Sequence, residues 1–174
     1  GFGFTFIGKN LKFKAGPGKI KLSDPHFQIT PPSSSAPTLS LTKSYRLFVD
    51  IEFETLGAGS ASAADLSCYH EIDIVIVEDV TSNRPKYNQI LMGVECKSGA
   101  IGKSTLKEVL GIRRELSFLQ PATHSSLSDI GGVPIIDVPA YPPSEYWLAF
   151  QDPNGWRYSS SPAMFGIHFI ELRP

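Results

Sequence analysis

The sequence from His70 to Lys97 reads HEIDIVIVEDVTSNRPKYNQILMGVECK, and this stretch decides the expected fold. Ile72 to Val77 is apolar on both faces except for Asp73, which is typical of a central strand that is covered on each side. Ile90 to Cys96 is a second, mostly apolar run, and the polar residues Thr81 to Pro85 supply a turn between the two. We therefore predict two adjacent antiparallel strands in the middle of a sheet.

Three further elements are expected around this pair. Tyr45 to Thr55 alternates strictly, which predicts a long strand. One face of it is apolar (Tyr45, Leu47, Val49, Ile51, Phe53) and the other is polar (Arg46, Asp50, Glu52, Glu54). Ser104 to Leu119 has helical apolar spacing, with Thr105 and Glu108 at the spacing of a capping box near its start. Glu145 to Gln151 is predicted to be another strand.

The ends of the chain are expected to add to this core. Gly1 to Leu22 is interpreted as a β-hairpin, and Asp24 to Thr42 as an irregular connection because it is rich in Pro and Ser. We expect one domain over residues 1–174, with a core over 44–151 between an N-terminal hairpin and connection (1–43) and a C-terminal extension (152–174). It is expected to be part of a larger protein. The fold class is α/β, with a mixed central β-sheet, a flanking helix and an added N-terminal β-hairpin.

Composition narrows the classes of function. The chain has 174 residues, is 41% hydrophobic and carries a net charge of -1, so its overall charge gives no attraction to nucleic acid. No apolar run is long enough to span a bilayer, and the first residues do not resemble a signal peptide. Cys68 and Cys96 lie outside any metal-binding spacing, so reduced thiols and a cytoplasmic location are expected.

A pair of acids beside a lysine is the main chemical feature of the sequence. Residues two apart on a strand share a face, so Glu95 and Lys97 project together roughly 7 Å apart while Cys96 turns to the opposite, buried side. If the two central strands pair across their turn, Asp73 falls next to Val94 or Glu95. Its carboxylate is then expected near that of Glu95.

Neighbouring carboxylates with no cation between them repel each other and raise each other's pKa. A hard divalent cation resolves this conflict, because Mg²⁺ prefers carboxylate oxygens together with water and phosphate oxygens. Lys97, beside such an ion, can orient or deprotonate a water for attack on phosphorus. A chance Glu-x-Lys on a solvated strand is the alternative interpretation, but an acid inside an apolar strand is costly to bury without a partner.

These residues resemble the PD-(D/E)xK phosphodiesterases, the superfamily that includes the type II restriction enzymes. Asp73 matches the first acid, and Glu95-Cys96-Lys97 matches the (D/E)xK element. The order of elements from Tyr45 to Phe150 is also similar to that family. The resemblance implies a restriction-endonuclease-like core and a Mg²⁺- or Mn²⁺-dependent endodeoxyribonuclease that leaves a 5′-phosphate and a 3′-hydroxyl.

The resemblance also implies a role for each site residue. Asp73, Glu95 and the main-chain carbonyl of Cys96 would hold the metal, and Lys97 would serve the nucleophilic water. The sequence departs from the family pattern because Ile72, rather than proline, precedes Asp73, and because residues 24–42 do not look like the family's upstream helix.

Glu54 is the candidate to replace the acid that such a helix often carries. Pairing the first two core strands across residues 57–70 would place it near Asp73. Four basic residues are candidates for contacts with phosphates that flank the scissile bond: Lys103, Lys107, Arg113 and Arg114. A solvated helix face explains these four equally well.

Two rival functions stay open at this point. One is a catalytically inactive module that keeps the fold and binds nucleic acid or a partner protein through its acidic face. The other is a β-rich interaction domain in which Glu-x-Lys is accidental. The sequence does not separate DNA from RNA, and a homodimer is plausible without any residue pattern that supports it.

Overall fold

The computed structural model describes residues 3–7, 18–20, 24–30, 45–60, 66–78, 83–117, 119–121, 137–139 and 144–173. Over these residues the chain has a mixed α/β fold with nine strands, two α-helices and four short 3-10 helices. The strands are β1 (Gly3–Ile7), β2 (His26–Thr30), β3 (Tyr45–Glu54), β4 (Tyr69–Glu78), β5 (Ile90–Lys97), β6 (Leu119–Pro121), β7 (Asp137–Pro139), β8 (Glu145–Phe150) and β9 (Ile167–Glu171). The helices are α1 (Lys103–Glu115) and α2 (Ser160–Ala163).

Seven of these strands form one mixed sheet in the order β1-β2-β3-β4-β5-β8-β9. The strands from β1 to β5 are antiparallel to their neighbours, whereas β8 runs parallel to β5 and β9 runs parallel to β8. The two central strands predicted from the sequence are β4 and β5, and they pair as expected with Ile74 opposite Val94. The short strands β6 and β7 form a separate two-stranded sheet.

The chain termini join the sheet differently from the expectation. The N-terminal hairpin is formed by β1 and β2, and β2 lies in the segment 24–42 that was expected to be irregular. The predicted turn at residues 16–18 lies mostly outside the described residues, and Gly18 itself bridges to Ile51 of β3. The segment 152–174 is more than an extension, since it contributes β9 to the central sheet.

Helix α1 begins one residue before the predicted start and ends four residues before the predicted end. Its N-cap residue is Gly102, so the expected capping box of Thr105 and Glu108 is wrong. One side of α1 packs on the sheet, because Val109 and Ile112 are buried in the same core cluster as strand residues. No helix among the described residues is long and apolar enough to cross a membrane.

The predicted strict alternation of β3 is interrupted at Asp50. The buried positions are Arg46 and Phe48 before this residue, but Ile51 and Phe53 after it, so the phase shifts by one residue. Asp50 has a φ of 52°, in the left-handed region that Asp tolerates better than most residues. Arg46, which was expected on the polar face, is therefore buried.

The neighbouring strand shows the same interruption. In β4 the buried position Ile72 is followed by Val75 and Val77, so the alternation shifts at Asp73 and Ile74. The register pairs Val49 with Ile74 and Ile51 with Ile72, which puts Asp50 opposite Asp73. Local irregularities of this kind re-aim side chains at functional sites, and here they occur where two acids face each other.

Candidate metal centre

A surface pocket of about 560 Å³ lies between α1 and the ends of β4 and β5. The strands contribute His70, Glu71, Asp73, Glu95 and Lys97, and the helix contributes Lys107, Glu108, Gly111, Ile112 and Glu115. The helical set follows one face of α1, since its members are spaced by about one turn. The three residues that the sequence proposed for catalysis (Asp73, Glu95 and Lys97) therefore lie in the same pocket.

Two carboxylates of this pocket, together with Asp50 of β3, are close enough to share a cation. Asp50, Glu71 and Asp73 each have an oxygen within 4.8 Å of the others. Asp50 and Asp73 meet because they are opposite each other in the register of β3 and β4. Glu71 joins them because it precedes Asp73 by two residues, and residues two apart on a strand share a face.

Asp73 also links the acid cluster to the end of β5. Its Oδ2 accepts a hydrogen bond of 2.6 Å from the backbone N–H of Cys96. Charge-assisted bonds to backbone N–H groups are among the stronger hydrogen bonds in proteins, so this contact fixes the position of the carboxylate. The backbone N–H of Cys96 thus lies directly beside the Asp73 carboxylate.

Glu95 and Lys97 form an ion pair at the floor of the pocket. Lys97 Nζ lies 2.7 Å from Glu95 Oε1, and the Glu95 side chain is 8% exposed. Lys97 Nζ also donates to Glu108 Oε1 at 3.2 Å, so the ammonium lies between a strand acid and a helix acid. The lysine therefore connects β5 with α1 across the pocket.

The surroundings shift the pKa values of both Glu95 and Lys97. Burial raises the pKa of Glu95 and the nearby charge of Asp73 adds to this, while the hydrogen bond from Lys97 opposes the rise. For Lys97, partial burial alone would lower the pKa. The hydrogen bonds and charges of Glu95 and Glu108 together outweigh burial and raise it. In this state Lys97 is protonated, and it acts as a hydrogen-bond donor.

Two expectations about β5 and β3 need correction. Cys96 is exposed, so its side chain does not turn to a buried side of the sheet. Glu54 lies opposite Tyr69, which precedes Asp73 by four residues, so about 13 Å of strand separates it from the position proposed for it. The register places Asp50, rather than Glu54, next to Asp73.

The expectation for Arg113 as a phosphate-binding residue is also wrong. Arg113 is 8% exposed, and its guanidinium donates to the carbonyl oxygens of Phe165 and Ser144 at 2.9 and 2.7 Å. It ties the C-terminal half of α1 to the ends of β8 and β9. Lys103, Lys107 and Arg114 are exposed, and of these Lys107 lines the pocket.

Asp50 and Glu71 were not proposed as ligands from the sequence. The sequence does carry a signal for Glu71, because it precedes Asp73 by two residues and this spacing puts both acids on one face of β4. Asp50 was assigned to an acidic face with Glu52 and Glu54, and no signal in the sequence indicated that β3 changes phase there. Glu52 is instead paired with Arg84, whose Nε donates to its Oε2 at 2.7 Å.

The donor set matches a hard divalent cation. Asp50, Glu71 and Asp73 offer only carboxylate oxygens, which suit Mg²⁺, Mn²⁺ or Ca²⁺ better than softer metals. Among the described residues no thiol or imidazole belongs to this cluster. The three acids could therefore hold a metal ion, and Glu95 lines the same pocket as Glu71 and Asp73.

The chain was compared with protein-family models, curated proteins and solved structures, and none of them matches it.

Proposed function

We propose that this protein is a metal-dependent nuclease that hydrolyses DNA phosphodiester bonds, with Mg²⁺ or Mn²⁺ as its cofactor. The observation that supports this most directly is the joint presence of Asp73, Glu95 and Lys97 in a single pocket beside a cluster of carboxylates. Phosphodiester hydrolysis needs a positive charge close to the negative phosphate oxygens and a positioned nucleophilic water. A cation held by the carboxylates, together with Lys97, can provide both.

Each residue has a distinct role in this proposal. Asp50, Glu71 and Asp73 would hold the cation, and Glu95 would join them from β5. The bound cation would stabilise the negative charge on the phosphate oxygens and make a water molecule a better nucleophile. Lys97 carries a proton in its present setting, so it donates to a phosphate oxygen or to the attacking water; it does not accept a proton at this stage.

The arrangement of elements supports the same class. An antiparallel run of β3, β4 and β5 is followed by α1 and then by β8, which is parallel to β5. The acids of β4 and β5 lie at one end of these strands under α1. This order is the one implied by the resemblance to a restriction-endonuclease-like core.

The proposal is tested by cleavage of supercoiled plasmid with Mn²⁺, with and without EDTA. The wild-type chain is expected to nick or linearise the plasmid only when metal is present. Lys97→Ala is expected to lower the cleavage rate by on the order of 10²- to 10⁴-fold, because it removes the only lysine that contacts Glu95 in the described structure.

Lys86→Ala is a suitable control for this variant, since Lys86 is an exposed lysine outside the pocket. It is expected to keep wild-type activity. Full activity in Lys97→Ala, or cleavage that persists in EDTA, would overturn the mechanism. The circular dichroism spectra of both variants should match that of the wild type, which separates loss of chemistry from loss of folding.

A second function is favoured by the charge of the pocket. Its lining has five carboxylates (Glu71, Asp73, Glu95, Glu108, Glu115) and two lysines (Lys97, Lys107), so without metal it repels a nucleic acid. The alternative is therefore a catalytically inactive module whose acidic pocket binds a basic segment of a partner protein. Failure to cleave any DNA with Mn²⁺, together with calorimetric binding of a lysine-rich peptide, would support this alternative over the nuclease.

A further inference from the structure

Tyr146 is a fully buried tyrosine beside the candidate metal centre. Its side chain is 0% exposed, and its hydroxyl has no hydrogen-bond partner among the described residues. A buried hydroxyl without an acceptor is unfavourable, so a change that brings an acceptor within reach of it stabilises the protein. None of the roles assigned above to the pocket residues uses this hydroxyl.

The position of the ring is set by a glycine on the neighbouring strand. Tyr146 of β8 pairs with Gly93 of β5, two residues before Glu95 and on the same face of the strand. A Cβ atom at Gly93 would lie 3.1 Å from Cδ2 of the Tyr146 ring and 3.3 Å from Cδ1 of Ile72. The ring therefore crosses over Gly93 toward β4, where Ile72 directly precedes Asp73.

The charges that act on the phenol belong to the same pocket. Burial raises the pKa of Tyr146 well above its ordinary value, and the negative charges of Glu95, Glu108 and Asp73 add to the rise. The phenol is therefore a neutral hydrogen-bond donor in a region where the neighbouring charged groups are mainly acceptors. Glu95 contributes the largest of these charge effects.

We propose that Tyr146 is a positioning residue that donates its hydroxyl to the Glu95 carboxylate when Lys97 turns from Glu95 toward the substrate. In the described structure the donor to Glu95 Oε1 is Lys97 Nζ, at 2.7 Å. The Lys97 ammonium already divides its three donors between Glu95 and Glu108, and a substrate phosphate would compete with both carboxylates for them. The buried phenol then supplies a replacement donor from the core, and this hydrogen bond keeps Glu95 oriented toward the cation.

This inference rests on the proposed function, because it concerns how Glu95 serves as a metal ligand. Partners that orient a ligating carboxylate affect metal affinity even though they do not touch the ion. The unpaired hydroxyl is then accounted for, since it finds its acceptor in the metal-bound state. Gly93 is accounted for as well, because a larger residue there would displace the ring.

The test uses Tyr146→Phe, which removes the hydroxyl and keeps the ring over Gly93. Mn²⁺ affinity measured by titration calorimetry is expected to fall on the order of tenfold. The kcat for plasmid cleavage should fall while KM for DNA stays unchanged, because Tyr146 does not touch the substrate. The melting temperature in EDTA should not fall, since the variant loses an unpaired buried polar atom.

Tyr158→Phe is the matched control, because Tyr158 is a partly buried tyrosine that packs against the core outside the pocket. It should leave Mn²⁺ affinity unchanged. The effect of Tyr146→Phe on Mn²⁺ affinity should also disappear in a Glu95→Ala background, where the acceptor is missing. A loss of affinity that persists in that background would overturn the assignment to Glu95.

Unchanged Mn²⁺ affinity and kcat in Tyr146→Phe would overturn this inference and leave the nuclease proposal intact. No Mn²⁺ binding by the wild-type chain would overturn the nuclease proposal, and this inference with it. If Tyr146→Phe does not fold, Gly93→Ala provides the second test, because it shifts the ring by a few tenths of an ångström. Gly93→Ala should also weaken Mn²⁺ binding, and unchanged affinity there would overturn the inference.

Discussion

Asp50 lies opposite Asp73 in the antiparallel register of β3 and β4, and the alternation of buried residues shifts at both positions. The positive φ of Asp50 belongs to this shift. Its consequence is that two acids from neighbouring strands come within 4.8 Å of each other and of Glu71. The acid cluster thus depends on a backbone irregularity as well as on residue type.

Asp50→Asn is expected to weaken Mn²⁺ binding by at least about tenfold, because it removes one of the charged ligands while keeping the shape of the side chain. Titration calorimetry at fixed pH measures this directly. Glu54→Gln is the matched control on the same strand, since the register places it opposite Tyr69 and away from the cluster. Equal losses in the two variants would contradict the assignment of Asp50 as the third acid.

The stability of the metal-free protein is expected to depend on Glu95. The folded-state pKa of Glu95 is raised above its ordinary value of 4.5, so the folded chain holds this proton more tightly than the unfolded chain does. The corresponding stability is fully present below about pH 4.5, and it is lost as pH rises through the raised pKa. Glu95→Gln should remove this part of the pH dependence.

Urea denaturation in EDTA between pH 4 and pH 8 provides the measurement. The free energy of unfolding should fall more steeply with rising pH in the wild type than in Glu95→Gln. Added Mn²⁺ should restore stability to the wild type at the upper end of this range, because the ionised carboxylate is the form that binds metal. Parallel pH curves for the two proteins would contradict a raised pKa at Glu95.

Arg113→Ala is expected to destabilise the fold by about 3 kcal/mol, because it leaves the carbonyls of Ser144 and Phe165 without their charged donor. Arg114→Ala is the neighbouring control, and a change within about 0.5 kcal/mol is expected because this side chain is exposed. Thermal and urea denaturation would distinguish them. Equal stability of the two variants would return Arg113 to the candidates for phosphate contact.

Gly155→Ala is expected to destabilise the protein by about 1–3 kcal/mol, since the added Cβ would lie 2.5 Å from a ring carbon of Phe150. Gly111→Ala in α1 should instead stabilise it by about 0.5–1 kcal/mol, because nothing lies within 4 Å of that Cβ and alanine favours a helix. Melting temperatures of the two variants should move in opposite directions. A shift of the same sign in both would contradict the close packing at Gly155.

Much of the central architecture follows from simple patterns. The apolar runs at β4 and β5 and the helical spacing of α1 predicted their elements, because burial on both sides of a sheet or on one helix face requires such patterns. The positions of Asp73, Glu95 and Lys97 in one pocket followed from strand periodicity together with the pairing of β4 and β5.

The rest depended on effects that a pattern does not show. The phase shift at Asp50 depends on the backbone conformation of that residue. As a result Asp50, rather than the predicted Glu54, is the neighbour of Asp73. Arg113 sits on the buried side of α1 because two carbonyls from distant strands satisfy its guanidinium, and nothing local in the sequence encodes them. The pairing of β1 with β2 likewise depends on partners rather than on periodicity.

The placement of β5 between β4 and β8 has a consequence for the order in which the chain folds. β4 is close in sequence and can pair with β5 early, whereas residues 98–144 separate β5 from β8. The acids of β4 and β5 can therefore come together while one edge of β5 still lacks its partner and Tyr146 has not yet docked. A chain cut before Glu145 would leave that edge of β5 without a partner strand, and an unpaired strand edge is a template for aggregation.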